Sequence, residues 1–350
     1  MKTLKILAGD IGGTKTRLGL FSVSKKRPCM ISKKTFASGE YKNLEDILAD
    51  FIGRYRDISA ACLAIAGPLV DPVISRTTNL PWIIHKNSIR KKFSLPRLEI
   101  INDLVANAYG ISSLNKSDFA ILNKGIPKKG NEGLISAGTG LGMAMLCWNG
   151  KEHIFSSSEG GHVEFGPRNS LEIELLQYLI ESIGHVSYER ILSGQGLVNI
   201  YNFLKHSGRF GAEPKWLSEE ISHGDPASAI ASTAYLKKNR ICSMAMDMFA
   251  SIYGAAAGNL ALHAMAVNGI YIGGGIAPKI IWKLNDGSFM SSFNDKGRFS
   301  QFMSQIPVKV ILNDRSALIG AALYALHSFE ESVSFNFVKN PAAETAGRQN

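Results

Sequence analysis

Cysteine is scarce: 350 residues hold four, Cys29, Cys62, Cys147 and Cys242, far apart and without a C-x-x-C pair. That spacing excludes a zinc knuckle and a disulfide framework and suits a reducing compartment. Charged residues make up only 19% of the chain, and the basic ones fall in short groups: Lys25, Lys26 and Arg27; Arg90, Lys91 and Lys92; Lys237, Lys238 and Arg240. With no aromatic interleaving and no helix-turn-helix or zinc-finger spacing, each group reads as a solvated face, and no nucleic-acid partner is expected. The most apolar long stretch, 244–272, is interrupted by Asp247, Asn259, His263 and Asn268. It therefore reads as a buried helix followed by a strand rather than a membrane span. The first residues carry two lysines but neither an apolar stretch nor a small-residue cleavage site before Asp10, which is not the layout of a signal peptide. No long biased tract occurs, which sets aside the disordered and fibrous classes. A cytoplasmic protein without a membrane partner is expected.

What the chain holds in quantity is apolar residues, 45%, and glycine, 34 residues. At roughly 150 residues per domain, this length supports about two domains with real cores. Lys+Arg (39) exceed Asp+Glu (29), and the resulting +10 favours anionic partners such as nucleotides or sugar phosphates.

Leu4–Ala8 and Thr16–Val23 read as strands joined by the turn Asp10-Ile-Gly-Gly-Thr14. Helical spacing at Leu44, Ile47, Leu48 and Phe51 follows, then a strand over 60–66, a strand over Leu98–Asn102 and a helix beginning at Asp103. Gly133–Trp148 repeats the order strand, Gly-Thr turn, strand, which suggests two related α/β units. Helices are expected over Leu171–Phe203 and Ala227–Ala266. A strand at Gly269–Ile272 runs into three glycines, after which Pro278 is placed to open a helix. An irregular segment, Asn285–Ser300, precedes a last strand at Val308–Leu312, a last helix at Ser316–His327 and a frayed polar tail.

Three glycine turns, each directly after an expected strand, carry the chemistry. Asp10-Ile-Gly-Gly-Thr-Lys15 offers backbone N–H groups and a hydroxyl to a phosphate, with a carboxylate at its head that could hold Mg²⁺ through water. It matches neither a P-loop nor a dinucleotide fingerprint, and as a plain hairpin turn it obeys the turn rules equally well. Ser136-Ala-Gly-Thr-Gly-Leu-Gly142 is a second donor-rich turn, and Gly273-Gly-Gly-Ile-Ala-Pro278 a third place of close backbone approach. Together they point to a nucleotide held from several sides. Asn102 and Asp103 stand where a strand meets a helix, so Asp103 is either an ordinary N-cap or a carboxylate aimed into a cleft. Glu159-Gly-Gly-His162 sets a carboxylate and an imidazole around two glycines, a composition suited to binding hydroxyls.

The segments Leu7–Phe21, Ala66–Asp71 with Thr78–Trp82, Ile101–Gly110, Ser136–Leu146 with Ser156–Pro167, Tyr188–Leu197 and Gly273–Lys279 together resemble the bacterial glucokinase family, within the hexokinase and actin-like ATPase superfamily. The resemblance implies an α/β, two-lobed, duplicated ribonuclease H-like fold with a central cleft. Its small lobe would span 1–112 plus a returning helix at 313–330, its large lobe 113–312, and 331–350 would be a flexible tail. It implies transfer of the γ-phosphoryl group of ATP to the 6-hydroxyl of glucose, with Mg²⁺, in a cytoplasmic homodimer of the glycolytic type.

Carried over by motif, Asp103 corresponds to the catalytic base, and Asn79, Asn102, Glu159, His162 and Glu189 to the sugar site, with Glu189 expected on the helix that follows. Asp10, Gly12, Gly13 and Thr14 match the first phosphate motif, Gly138 and Thr139 the second, and Gly274 and Gly275 the adenosine motif. One departure narrows the choice. The related repressor and open-reading-frame kinase group follows its E-x-G-H motif with a cysteine-rich zinc loop, whereas here Val163–Arg168 contains no cysteine. No structural zinc and no DNA-binding repressor are expected. A kinase for another hexose or amino sugar, and a non-catalytic sugar-sensing protein on the same fold, are the remaining alternatives.

Overall fold

The computed structural model describes residues 4–24, 27–53, 55, 57–67, 73–76 and 80–339. The chain divides into two compact units, Met1–Leu114 with Arg315–Asn350, and Asn115–Asp314.

In the first unit, β1 (Lys5–Ile11) turns into β2 (Lys15–Ser24), which leads to β3 (Arg27–Ala37). Then come α1 (Leu44–Ile52), β4 (Ala60–Ile65), β5 (Ile74–Arg76), β6 (Ile83–His85), α2 (Lys86–Lys92), β7 (Leu98–Asn102) and α3 (Asp103–Ile111). The main sheet has the order β3-β2-β1-β4-β7, and β1, β4 and β7 run parallel. Both faces are covered, which is why Ile6–Ala8 of β1 and the whole of β4 are apolar and buried. α1 starts on Asn43, whose side chain accepts from Asp46 N–H at 2.9 Å, and it buries Leu44, Ile47, Leu48 and Phe51 with Leu7, Ile11 and Leu63. The other face holds Ile6, Ala8 and Cys62 against Leu318, Ala321 and Ala322 of the closing helix, Ser316–Lys339. That helix crosses α3 with its backbone almost in contact: a Cβ on Gly320 would lie 1.7 Å from Ala106 O, and one on Gly110 would lie 2.1 Å from Ser316 O.

The second unit has β8 (Phe119–Asn123), β9 (Glu132–Ala137), β10 (Leu141–Trp148) and β11 (His153–Ser158). The helices α4 (Ser170–Ile183), α5 (Gly194–His206), α6 (Lys215–His223), α7 (Pro226–Leu236) and α8 (Arg240–Ala264) precede β12 (Gly269–Gly273) and β13 (Val308–Ile311). The sheet order is β11-β10-β9-β12-β13-β8. An antiparallel meander joined to parallel strands thus occurs in both units, with β8 added antiparallel at the second unit's edge. The duplication suggested by the repeated turn is borne out. Among the described residues one helix, α8, is long and apolar enough to cross a membrane, and 78% of its apolar window is buried, so it is a core helix here.

Several elements differ from the sequence expectation. β3 and β8 were not anticipated, because β3 is exposed along most of its length and carries little apolar signal. Asn285–Ser300 is largely helical, since Phe289 and Phe293 supply an apolar face buried against α8, with Gly254 and Gly258 letting the backbones approach. Pro278 stands in a run of turns, and the short helix after it begins only at Ile281. The closing helix continues past His327 to Lys339, so 331–339 of the expected tail are helical.

Candidate functional site

In the first unit the parallel strands β1, β4 and β7 end level with one another, Ile11 beside Ile65 and Ile65 beside Asn102. Carboxyl ends of such strands are where open α/β sheets present ligand-binding loops. The turn Gly12–Thr14 closes with Gly12 N–H donating to Lys15 O at 3.1 Å. Behind it stands Ser38, fully buried: its hydroxyl donates to Gly12 O at 2.8 Å, and its N–H donates to Thr14 O at 3.0 Å. Asp10 faces Arg17 across the hairpin, and the guanidinium donates to Asp10 Oδ2 at 3.0 Å.

At the end of β7 the cap of α3 is Asn102 and not Asp103. Asn102 Oδ1 accepts from Leu104 N–H at 2.9 Å and from Val105 N–H at 3.4 Å, while its amide donates to Gly67 O at 3.1 Å. Asp103 is the first helical residue, with Oδ1 accepting from Leu104 N–H at 2.9 Å. Its carbonyl accepts from Asn107 Nδ2 at 3.1 Å, and Ser316 Oγ donates to Asn107 Oδ1 at 2.5 Å. The closing helix therefore steadies the first turn of α3. Asn79 lies outside the described residues.

In the second unit both glycine turns sit at the carboxyl ends of the parallel pair β9 and β12, where Gly273 is level with Ser136. Gly138 N–H donates to Gly140 O at 2.8 Å, and Gly138 O accepts from Gly194 N–H at 3.0 Å. Thr139 is exposed at the tip. Gly274, at φ +84°, must be glycine, because a Cβ there would lie 2.1 Å from Ala137 O; Gly275 opens onto free space. The second and third turns thus touch.

Glu159, His162 and Glu189 gather beside the second turn, around Leu141. Glu189 Oε2 accepts from Leu141 N–H at 2.9 Å, and Gly140 leaves room for it, since a Cβ there would lie 2.5 Å from that oxygen. A Cβ on Gly161 would lie 1.9 Å from Leu141 O, so the glycine pair between Glu159 and His162 lets their short 3-10 turn, Gly160–His162, press onto the start of β10. Both side chains are exposed, with His162 Nε2 3.9 Å from Glu159 Oε2. Glu189 stands on a 3-10 turn, Tyr188–Arg190, ahead of α5 rather than on the helix itself, because that helix is capped only at Ser193. Backbone pairing of Phe165 N–H with Val186 O and of Tyr188 N–H with Val163 O, both at 3.0 Å, ties the two short turns together.

Sequence reasoning missed Ser38 and the support beneath Glu189. The Tyr188 hydroxyl accepts from Asn259 Nδ2 at 3.1 Å, and Asn259 Oδ1 accepts from Lys296 Nζ at 2.7 Å. Burial pushes the Tyr188 phenol up, and burial together with Arg168 pushes the Lys296 ammonium down. These partners are distant in sequence and belong to no motif; only the Asn259 interruption of an apolar helix gave a signal. Among the described residues no three His, Cys, Asp or Glu side chains cluster to hold a metal. An ion that keeps its waters needs only one or two carboxylates plus phosphate oxygens; the carboxylate at this turn is Asp10, whose Oδ2 accepts from Arg17.

A family model described as Glucokinase matches residues 7–328. A glucokinase from Nostoc punctiforme is 39% identical over 337 residues, covering 91% of this chain and 98% of that protein. Among solved structures, a glucokinase from an Antarctic psychrotroph superposes with a TM-score of 0.80 at 30% identity, covering 92% of this chain and 99% of that one. A ROK family glucokinase from Streptomyces griseus, solved with glucose and AMPPNP, shares the fold at a TM-score of 0.62 and 20% identity, covering 93% and 99%.

Proposed function

The chain belongs to the glucokinase family, and from that premise we propose that it transfers the terminal phosphoryl group of ATP to the 6-hydroxyl of glucose, giving glucose 6-phosphate and ADP. The observation that carries this is the family match over residues 7–328, joined to donor-rich glycine turns at the carboxyl ends of both sheets. The reaction asks for alignment and charge neutralisation more than covalent chemistry.

In this reading Asp103 accepts the hydroxyl proton as the sugar oxygen bonds to phosphorus and the β–γ bridging oxygen leaves with ADP. Gly12, Gly13 and Thr14 hold phosphates, Gly138 and Thr139 form the second phosphate turn, and Gly274 and Gly275 line the adenosine. Glu159, His162 and Glu189 receive sugar hydroxyls, and Asn79 belongs to the same proposed sugar-binding set. An ionised carboxylate has about four acceptor positions, so Glu189 can take a sugar hydroxyl while keeping Leu141 N–H. Asn102 has a second amide hydrogen beyond the one given to Gly67, available to a sugar oxygen. Asp10 would orient Mg²⁺ through water, and the ion would offset charge on the phosphates.

The reading also makes the protein a cytoplasmic homodimer supplying glycolysis, with the unit of Met1–Leu114 and the closing helix as the small lobe and Asn115–Asp314 as the large one. It assigns no nucleic-acid or membrane partner.

The test is ADP release with MgATP over a panel of glucose, mannose, fructose, galactose, glucosamine and N-acetylglucosamine. Turnover is expected on glucose, and Asp103→Ala is expected to lower it about 10²–10⁴-fold. Silence on all six sugars, or an Asp103→Ala variant within threefold of the parent, would overturn the assignment.

A further inference from the structure

We infer that Ser38 is a positioning residue for the first phosphate turn: buried behind Gly12–Thr14, it ties down the turn's carbonyls so that its N–H groups are held ready for a nucleotide phosphate. The inference rests on the proposed phosphate role of that turn.

Ser38 opens a 3-10 turn, Ser38–Glu40, directly after β3. Its main chain and side chain act in the same direction. The hydroxyl donates to Gly12 O at 2.8 Å, and the N–H donates to Thr14 O at 3.0 Å. The hydroxyl oxygen also lies 3.0 Å from Thr16 Oγ1, itself fully buried, so Thr16 can donate to Ser38 while Ser38 donates to Gly12. With Gly12 N–H committed to Lys15 O, the N–H groups of Gly13 and Thr14 find no acceptor among the described residues.

A two-glycine turn is flexible, and it costs conformational entropy to fix on a ligand. Two bonds from Ser38, one to Gly12 O and one to Thr14 O, meet that cost in advance from the buried side. Ser38 has no exposed surface, so it acts through Gly12 and Thr14 and not by touching the nucleotide.

The experiment titrates the intact protein with ADP in magnesium-containing buffer by calorimetry, and measures KM for glucose and Tm alongside. Ser38→Ala removes the hydroxyl and leaves the N–H bond. One neutral hydrogen bond of this kind corresponds to about 3- to 10-fold, and ADP affinity is expected to fall by that factor with KM for glucose changed less than twofold. Thr16→Val removes the neighbouring buried hydroxyl but keeps the Ser38–Gly12 bond, so a lower Tm with ADP affinity within twofold is expected. A merely structural role would lower Tm in both variants and leave ADP affinity alone, which would overturn the inference; so would an equal loss of ADP affinity in both. Thr14→Val, at an exposed position, separates the two levels. If it weakens ADP and Ser38→Ala does not, the inference fails while the phosphate role stands. If neither changes ADP affinity, the phosphate role fails and takes the inference with it.

Discussion

Gly161→Ala is expected to be among the most damaging single-methyl additions to the second unit's site. The added Cβ would lie 1.9 Å from Leu141 O and 2.9 Å from its carbonyl carbon, where ordinary contact begins near 3.4 Å. Both atoms are backbone, so no side chain can swing aside. The turn bearing Glu159 and His162 must therefore retreat by about 1.5 Å, or Leu141 must move by a similar amount. Leu141 cannot move cheaply, because its N–H holds Glu189. Either way one part of the proposed sugar-binding set is displaced from the other. A misplacement of about 1 Å can cost about 10²-fold in rate, so kcat/KM for glucose is expected to fall about 10²-fold or more. Overpacking of this kind also costs about 1–3 kcal/mol of stability, so the assay is coupled steady-state kinetics well below the variant's Tm. Gly39→Ala, where a Cβ meets nothing within 4 Å, is the control and is expected to behave as the parent. A Gly161→Ala enzyme within threefold of the parent would refute the argument that this glycine sets the position of the turn.

Two further outcomes follow from the packing. Gly320→Ala places a Cβ 1.7 Å from Ala106 O and should prise the closing helix from α3, lowering stability by about 1–3 kcal/mol or more; an unchanged Tm would contradict the close crossing. Glu132 is buried, and burial raises its carboxyl above the ordinary 4.5 although His153, Tyr271, Lys309 and Asn268 all favour the charged form. The proton is then bound more tightly folded than unfolded, so this contribution to stability is full below 4.5 and is lost as pH rises through the raised value. Glu132→Gln does not suffer that loss, and its Tm relative to the parent should improve between pH 4.5 and 7; parallel Tm curves would refute the sign.

The repeated strand–turn–strand pattern suggests two related α/β units, because each hairpin is local and each glycine turn announces itself, and the family resemblance supplies the duplicated architecture. What stayed hidden were elements whose signal is not periodic apolarity. β3 shows mostly exposed residues, and its pairing to β2 is a matter of register rather than composition. The helix Ser288–Asn294 has Phe289 and Phe293 four residues apart, a helical spacing, but serine, asparagine and glycine around them read as loop. There the burial of two aromatic rings against α8 outweighs the weak local propensity.

Candidate site residues were legible where a motif concentrates them, and their neighbours were not. Asp103 illustrates the limit: local rules made it a candidate cap, whereas Asn102 takes that place because its side-chain oxygen reaches both Leu104 N–H and Val105 N–H. The capping requirement is thereby met one residue earlier, and the Asp103 carboxylate is not needed as the cap. Glu189 illustrates the converse. Glu189 lies 30 positions after Glu159, and only folding shows that the two are joined through one residue, Leu141, whose N–H binds Glu189 and whose carbonyl is cleared by Gly161, two residues after Glu159. Glycines 140, 161 and 274 each exist for such a clearance, against Glu189, Leu141 and Ala137 in turn. Their role is steric and non-local, so a sequence shows that glycine is present without showing what it makes room for.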